Sequence, residues 1–218
     1  MTHYTPDETR AIIASYEPPA RAHYPELPEY RRDELYEGFF GGGGLYLATG
    51  GGRIVNTLFA RNISLDNAGM AMHLLPTGTL QILHTTVAAP TLANGDAIRL
   101  DSGNVTIKDT IVTNHAIGLN RLGGTVTEDY NLFFGNAINK FGLISGGTHD
   151  VSGDPKFVDA ANDNYHLGSG SAAINAGTDM GVYSDIDGQT RPFGPGYDIG
   201  FDEAVIYPVY LPLVLTDE

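Results

Sequence analysis

Short apolar segments recur along the chain from residue 41 onward. Four of them share the order small, apolar, variable, apolar, and they occupy residues 44–47, 71–74, 97–100 and 116–119. Their starts lie 27, 26 and 19 residues apart. Apolar residues that alternate with a period of two predict short strands with one face turned toward a core.

A second set of similar segments follows the first in the same order, at residues 54–57, 82–85, 107–110 and 127–130. A repeat of 20–28 residues that holds two or three strands and no helix is typical of a parallel β-solenoid, whose rungs stack ~4.8 Å apart. Met72, Ile98 and Ile117 are then predicted to share one inward column. A β-sandwich is the main alternative, but the fixed order of paired strands favours the solenoid.

Local composition and the repeats divide the chain into four parts. Residues 1–40 form a lead-in, in which Thr5 as N-cap, Pro6 and Glu8 predict a short helix that ends before Pro18. Residues 41–150 hold about four rungs. Residues 151–204 are rich in turn residues with spaced apolar anchors, and we expect them to cap the open end of the apolar column. Residues 205–218 are an apolar tail.

Composition excludes several classes of function. The formal charge is −14, and 12 Lys and Arg residues are too few for a nucleic-acid partner. With no cysteine, there is neither a disulfide framework nor a thiolate metal site. The first residues show no secretory signal. The apolar tail is shorter than the ~20 residues of a membrane helix and contains Pro208 and Pro212, so no membrane span is predicted.

Two sequence patterns carry a resemblance to a known family. The runs GGGGLY at 41–46 and HTTV at 84–87 resemble rungs of bacterial right-handed parallel β-helix repeat proteins of the pectate-lyase-like superfamily. The runs DPKFVD at 154–159, DIDGQTRP at 185–192 and DIGFDE at 198–203 resemble a C-terminal region of the choice-of-anchor Q type. The resemblance covers roughly residues 41–204. It implies an all-β right-handed parallel β-helix and an extracellular or cell-surface location.

The first set of strands offers a candidate glycan-binding column. Tyr46, His73 and Arg99 occupy its variable position and are predicted to point outward. An aromatic face beside cationic donors suits a sugar ring with its hydroxyls or carboxylate, and extended acidic oligosaccharides are the expected ligands. The alternative is an ordinary solvated strand face. Arg99 between Asp96 and Asp101 also resembles the basic residue of β-helix polysaccharide lyases.

Polar residues close the second set of strands at Asn56, His84, Asp109 and Asp129. We interpret them as a polar turn ladder that is hydrogen-bonded along the stack. A general acid–base pair or a cation site is the alternative.

The C-terminal region is dense in carboxylates. Asp185, Asp187, Asp198 and Asp202 form a candidate calcium site. The structural alternative pairs Arg191 with Asp198 or Glu203 and uses Asp187 in a turn.

The sequence as a whole favours a secreted or surface-associated module. We expect it to be non-catalytic and either glycan-binding or structural and adhesive. The first alternative is a carbohydrate-active enzyme of the polysaccharide lyase or glycoside hydrolase kind, or a fragment of one. The second is self-association through the ends of the solenoid.

Overall fold

The computed structural model describes residues 42–64 and 67–205. The predicted helix within residues 1–40 and the apolar tail beyond residue 205 lie outside these ranges. The described residues contain one short 3-10 turn, Ala160–Asn162, and no α-helix. None of the described helical structure has the length and apolarity that crossing a membrane requires.

Fourteen strands make up the described fold. In chain order they are β1 (Leu45–Leu47), β2 (Gly52–Val55), β3 (Leu58–Ala60), β4 (Met72–Leu74), β5 (Thr79–Leu83), β6 (Thr86–Leu100), β7 (Asn104–Lys108), β8 (Ile111–Arg121), β9 (Thr125–Asp129), β10 (Leu132–Phe134), β11 (Ile138–Phe141), β12 (Ser145–Gly146), β13 (Phe157–Asp159) and β14 (Asn164–Leu167).

The first twelve strands build a parallel β-solenoid of about four turns, as the repeats predict. Face 1 consists of β1, β4, the end of β6, the end of β8, and β11. Face 2 consists of β2, β5, β7, β9 and β12. Face 3 consists of β3, the start of β6, the start of β8, and β10. Strands β13 and β14 pair with each other in an antiparallel sheet outside the stack.

The inward residues of the three faces form the main core. Met72 and Ile98 follow each other on face 1, and Ile82 and Ile107 follow each other on face 2. All four side chains are buried in one apolar cluster. Burial of each such side chain contributes about 1.5–3 kcal/mol, so the inward columns stabilise the stack.

The pairing of the fourth repeat differs from the predicted alignment by two residues. Ile98 pairs with Leu119, whereas Ile117 lies opposite Asp96. The strand pair β6–β8 contains irregularities between Ala88 and Asp96, so the number of residues per turn changes there. A shift of two residues keeps every side chain on the same side of a strand. The hydrophobic pattern therefore fits both registers equally well.

The C-terminal segment, residues 154–204, lies along the outer side of face 3. Outward residues Ile111 and Leu132 pack with Leu167, Ala173 and Ile199 of this segment. Ala88 packs in the same way with Tyr165 and Phe201. The segment also reaches the first rung, where Arg61 pairs with Asp163. It therefore covers the length of one face, which differs from the expected closure of one end.

A charged cluster lies at the end of the stack. Glu128 follows Ile107 on face 2, and Lys140 follows Leu119 on face 1, so both occupy inward positions. Lys140 Nζ lies 2.7 Å from Glu128 Oε1 and also contacts Asp150. These ion pairs, and a hydrogen bond from Asn131 to Glu128, terminate the apolar column.

Candidate functional site

One continuous column of side chains occupies the outer side of face 1. Strand register places Tyr46 beside His73, His73 beside Arg99, Arg99 beside Asn120, and Asn120 beside Phe141. We call these five residues the face-1 column. Their neighbours in each strand point inward to the core, because side chains alternate along a strand. The core therefore fixes the strands that carry Tyr46, His73, Arg99 and Asn120, and the ion pairs of Lys140 fix the strand that carries Phe141.

Asp101 links two members of the face-1 column. It follows β6 directly, and its Oδ2 lies 2.8 Å from His73 Nε2. Its Oδ1 accepts a hydrogen bond from Arg99 Nε at 2.8 Å. The ring of Tyr46 meets the ring of His73 edge to face, with 5.4 Å between centroids. Tyrosine, histidine and arginine are thus held in one arrangement before any ligand binds.

Asp96 supports the next member of the column. Asn120 Nδ2 donates to Asp96 Oδ2 at 2.7 Å, and both residues are largely buried. Two buried polar atoms of the column, His73 Nδ1 and Asn120 Oδ1, have no hydrogen-bond partner among the described residues. Buried polar atoms without partners are costly, and both of these atoms lie beneath the accessible surface of the column.

The two ends of the column are aromatic and exposed. Tyr46 is 47% exposed and Phe141 is 49% exposed. With rungs ~4.8 Å apart, four steps from Tyr46 to Phe141 span ~19 Å. The column is therefore an extended strip with a ring at each end and polar groups between them.

Asp101 supplies a fixed negative charge to the strip. Burial would raise the pKa of Asp101, but the hydrogen bonds and charges of Arg99 and His73 outweigh burial and lower the pKa. Asp101 is consequently ionised at neutral pH and balances the charge of Arg99. Neither residue is poised to take or give a proton in that pH range.

The structure brings the three predicted glycan-column residues, Tyr46, His73 and Arg99, into direct register. Sequence reasoning missed Asn120 and Phe141 as members of the column. The predicted alignment placed Gly118 beside Arg99, two residues before the true partner. Correct pairing of the fourth repeat would have revealed both.

The polar turn ladder is a column of left-handed backbone conformations. Asn56, His84 and Asp109 have φ of 49°, 43° and 50°, and the fourth position belongs to Tyr130 with φ of 56°. Asp129 instead pairs with Lys108 and contacts His149. The ladder therefore runs through residue 130 rather than through Asp129.

Three ladder residues contact or face the C-terminal segment. Asn56 Nδ2 donates to the carbonyl of Ser184 at 2.6 Å, and Asp109 Oδ1 accepts from the amide of Thr178 at 2.9 Å. His84 faces the ring of Tyr197. The side-chain hydrogen bonds of Asn56 and Asp109 thus run to the C-terminal segment, whereas the sequence predicted hydrogen bonds along the stack.

Two of the predicted calcium ligands hold backbone turns. Asp185 accepts hydrogen bonds from the amides of Asp187, Gln189 and Glu203. Asp198 accepts from the amides of Asn175 and Ala204, one through each oxygen. Burial raises the pKa of Asp198 to about 6, although both amides oppose this rise.

The other two predicted ligands, Asp187 and Asp202, lie together with His166. One ligand atom of each residue lies within 4.8 Å of the others. His166 was missed because it lies far from the carboxylate-rich stretch in sequence. Only the fold of the C-terminal segment brings it there.

Comparisons with protein-family models, curated proteins and solved structures find no match to this chain. The parallel solenoid stands on the strand pairing itself. The right-handed pectate-lyase-like and choice-of-anchor relationships rest on the sequence resemblance alone.

Proposed function

We propose that the chain is a secreted or surface-associated β-solenoid module that binds extended glycans along the face-1 column. The observation that carries the proposal is the register of Tyr46, His73, Arg99, Asn120 and Phe141 on one outer face. Aromatic rings stack on the apolar faces of sugars, and hydrogen-bonding groups between them satisfy hydroxyls. A strip of ~19 Å accommodates about four sugar rings.

The charges around the column favour neutral over acidic glycans. Arg99 carries the fixed positive charge of the column and is already paired with Asp101. Asp96 adds a second carboxylate beside it. The chain as a whole carries −14, which repels polyanions at long range. We therefore propose a neutral oligosaccharide as ligand, in place of the acidic one that the sequence suggested.

The role we propose is binding without catalysis. A lyase base at Arg99 would have to lose a proton, and the adjacent Asp101 stabilises the protonated form. Asp101 itself has a lowered pKa and is a poor general acid at neutral pH. The alternative is a carbohydrate-active enzyme in which Asp101, kept ionised by its lowered pKa, would act as a nucleophile.

A glycan array probed with the purified chain tests the proposal. Binders would then be titrated against Tyr46→Ala, Phe141→Ala and a matched control, Tyr183→Ala. Tyr183 is an exposed tyrosine on the C-terminal segment, which packs on face 3. Loss of either column ring should weaken binding about tenfold, which corresponds to ~1.4 kcal/mol. The control should bind like the parent.

Equal binding by all four proteins, or no binder among neutral and acidic glycans, would overturn the proposal. Release of reducing ends or unsaturated products by the parent, abolished in Asp101→Asn, would favour the enzyme. The extracellular location is tested by fractionating cells of the source organism. Self-association through the solenoid ends is a separate hypothesis, and sedimentation velocity over a range of concentrations tests it.

A further inference from the structure

Three side chains with metal-binding atoms meet in the C-terminal segment. His166 lies on β14, Asp187 lies in the turn that Asp185 organises, and Asp202 lies near the end of the described residues. One nitrogen and two carboxylate oxygens lie within 4.8 Å of one another. The three residues come from separate stretches, so their convergence is a property of the fold.

The ring of His166 is oriented as in many metal-binding histidines. Its Nδ1 lies 2.7 Å from Asn164 Oδ1, and its Nε2 lies 2.8 Å from Asp187 Oδ2. The 2.8 Å contact is a direct His–Asp hydrogen bond when no ion is bound. A ring that donates from Nδ1 to Asn164 presents the lone pair of Nε2 to a cation that the Asp187 carboxylate can share. Donation from the second ring nitrogen to an oxygen is the usual support of a metal-bound histidine.

Asp202 provides a second, independent indication of a ligand. The residue is only 4% exposed, and its Oδ2 accepts a hydrogen bond from the amide of Leu167 at 2.7 Å. Burial of a carboxylate is costly unless a positive charge beside it compensates its charge. A cation held by His166 and Asp187 would supply that charge.

We propose that His166, Asp187 and Asp202 bind one divalent transition metal ion of the zinc and manganese class. One imidazole nitrogen and two carboxylate oxygens suit such ions. Calcium requires six to eight oxygen ligands, and the remaining predicted ligands, Asp185 and Asp198, are occupied by backbone amides. This set replaces the calcium site that the carboxylate spacing predicts.

The surroundings define what the bound ion would do. The side chains of His166 and Asp187 are 40% and 45% exposed, so water completes the coordination and the ion exchanges with solvent. The ion would join β14, the 185–188 turn and the stretch around Asp202. Its first effect is therefore to stabilise the folded C-terminal segment.

Isothermal titration of the metal-free full chain with zinc chloride, manganese chloride and calcium chloride tests the proposal. We expect one zinc or manganese ion per chain and a rise in melting temperature. His166→Gln and Asp187→Asn should each weaken binding at least about tenfold. The matched control is His149→Gln, which removes a surface His–Asp pair of similar geometry, 2.9 Å from Asp129, outside the cluster.

Cobalt absorption spectra give a second readout, because a His166 ligand alters the d–d bands and its loss removes that change. Asp202→Asn keeps an oxygen for the Leu167 amide and tests the third ligand in a folded chain. Zinc binding that is equal in parent and His166→Gln would overturn the proposal. Calcium binding that survives His166→Gln would also overturn it and favour an all-oxygen site.

Discussion

Arg191 donates from Nη1 to Glu203 Oε2 across 2.9 Å, and neither side chain is exposed to solvent. The same guanidinium donates to the carbonyls of Asp198 and Gly200. Glu203 in turn accepts from the amides of Phe193 and Asp198. This buried ion pair therefore holds several loops of the C-terminal segment together. Among its described residues, the segment has no helix or strand after β14 to do so.

Arg191→Met should destabilise the chain by about 3–5 kcal/mol, because it leaves Glu203 buried and uncompensated. Urea unfolding followed by circular dichroism measures this loss. The control is Arg61→Met, which removes the exposed pair with Asp163 and should change stability far less. If both variants lost a similar free energy of unfolding, burial would not be what makes the Arg191–Glu203 pair important.

Leu119→Ala should cost about 2–5 kcal/mol, whereas Ile117→Ala should cost less than half as much. Leu119 is fully buried and pairs with Ile98 in the inward column. Ile117 lies only partly buried opposite Asp96. Thermal melts of both variants decide between the observed register and the one that the sequence repeat predicts. The opposite order of losses would restore the predicted register.

The solenoid and its inward columns could be predicted because apolar residues alternate with other residues in every rung. The exact pairing of the fourth rung could not, since a shift of two residues leaves that alternation unchanged. The ladder shows a related limit. What repeats at Asn56, His84, Asp109 and Tyr130 is a backbone conformation, and a tyrosine gives no sign of it in a polar pattern.

The position of the C-terminal segment was harder to predict for a different reason. Outward residues of face 3, such as Ile111 and Leu132, are apolar like their inward neighbours Val112 and Phe133. A continuous apolar run indicates a strand that is buried on both sides. It does not show which part of the chain covers the outer side. The fold uses that second apolar side to hold residues 154–204, and His166 reaches the metal-binding cluster only as a result.

Lys140→Met should destabilise the chain more at neutral pH than at acidic pH. Burial raises the pKa of Glu128 even though Lys140 and Asn131 oppose the rise. Without Lys140 this pKa rises further, and a raised carboxyl pKa lowers stability as pH increases through it. Unfolding at several pH values measures the effect, and Lys156→Met, at an exposed position of the C-terminal segment, is the control. A pH-independent loss would contradict this assignment.

His84 and Asp109 form a second buried pair, with 3.6 Å between Nε2 and Oδ2 and no hydrogen bond at either atom. Burial and the charge of Arg191 lower the pKa of His84 to about 3. Burial raises the pKa of Asp109 to about 7. In the unfolded chain these pKa values are about 6.5 and 3.9. Between about pH 4 and 6.5 each state thus holds one proton, on His84 when unfolded and on Asp109 when folded.

Single substitutions should therefore reveal two opposite pH dependences that cancel in the parent. In Asp109→Asn only His84 titrates, and its lowered pKa makes stability fall as pH drops from about 6.5 toward 3, by up to ~1.4 kcal/mol per pH unit. In His84→Gln only Asp109 titrates, and its raised pKa makes stability fall as pH rises from about 4 to 7. Asparagine also tolerates the φ of 50° at position 109. Urea unfolding of the three proteins across this range gives the slope of stability against pH for each. Subtracting the slope of the parent removes the contribution of the titrating groups that all three proteins share. Slopes of the same sign, or none in either variant, would show that the pair does not exchange its proton on folding.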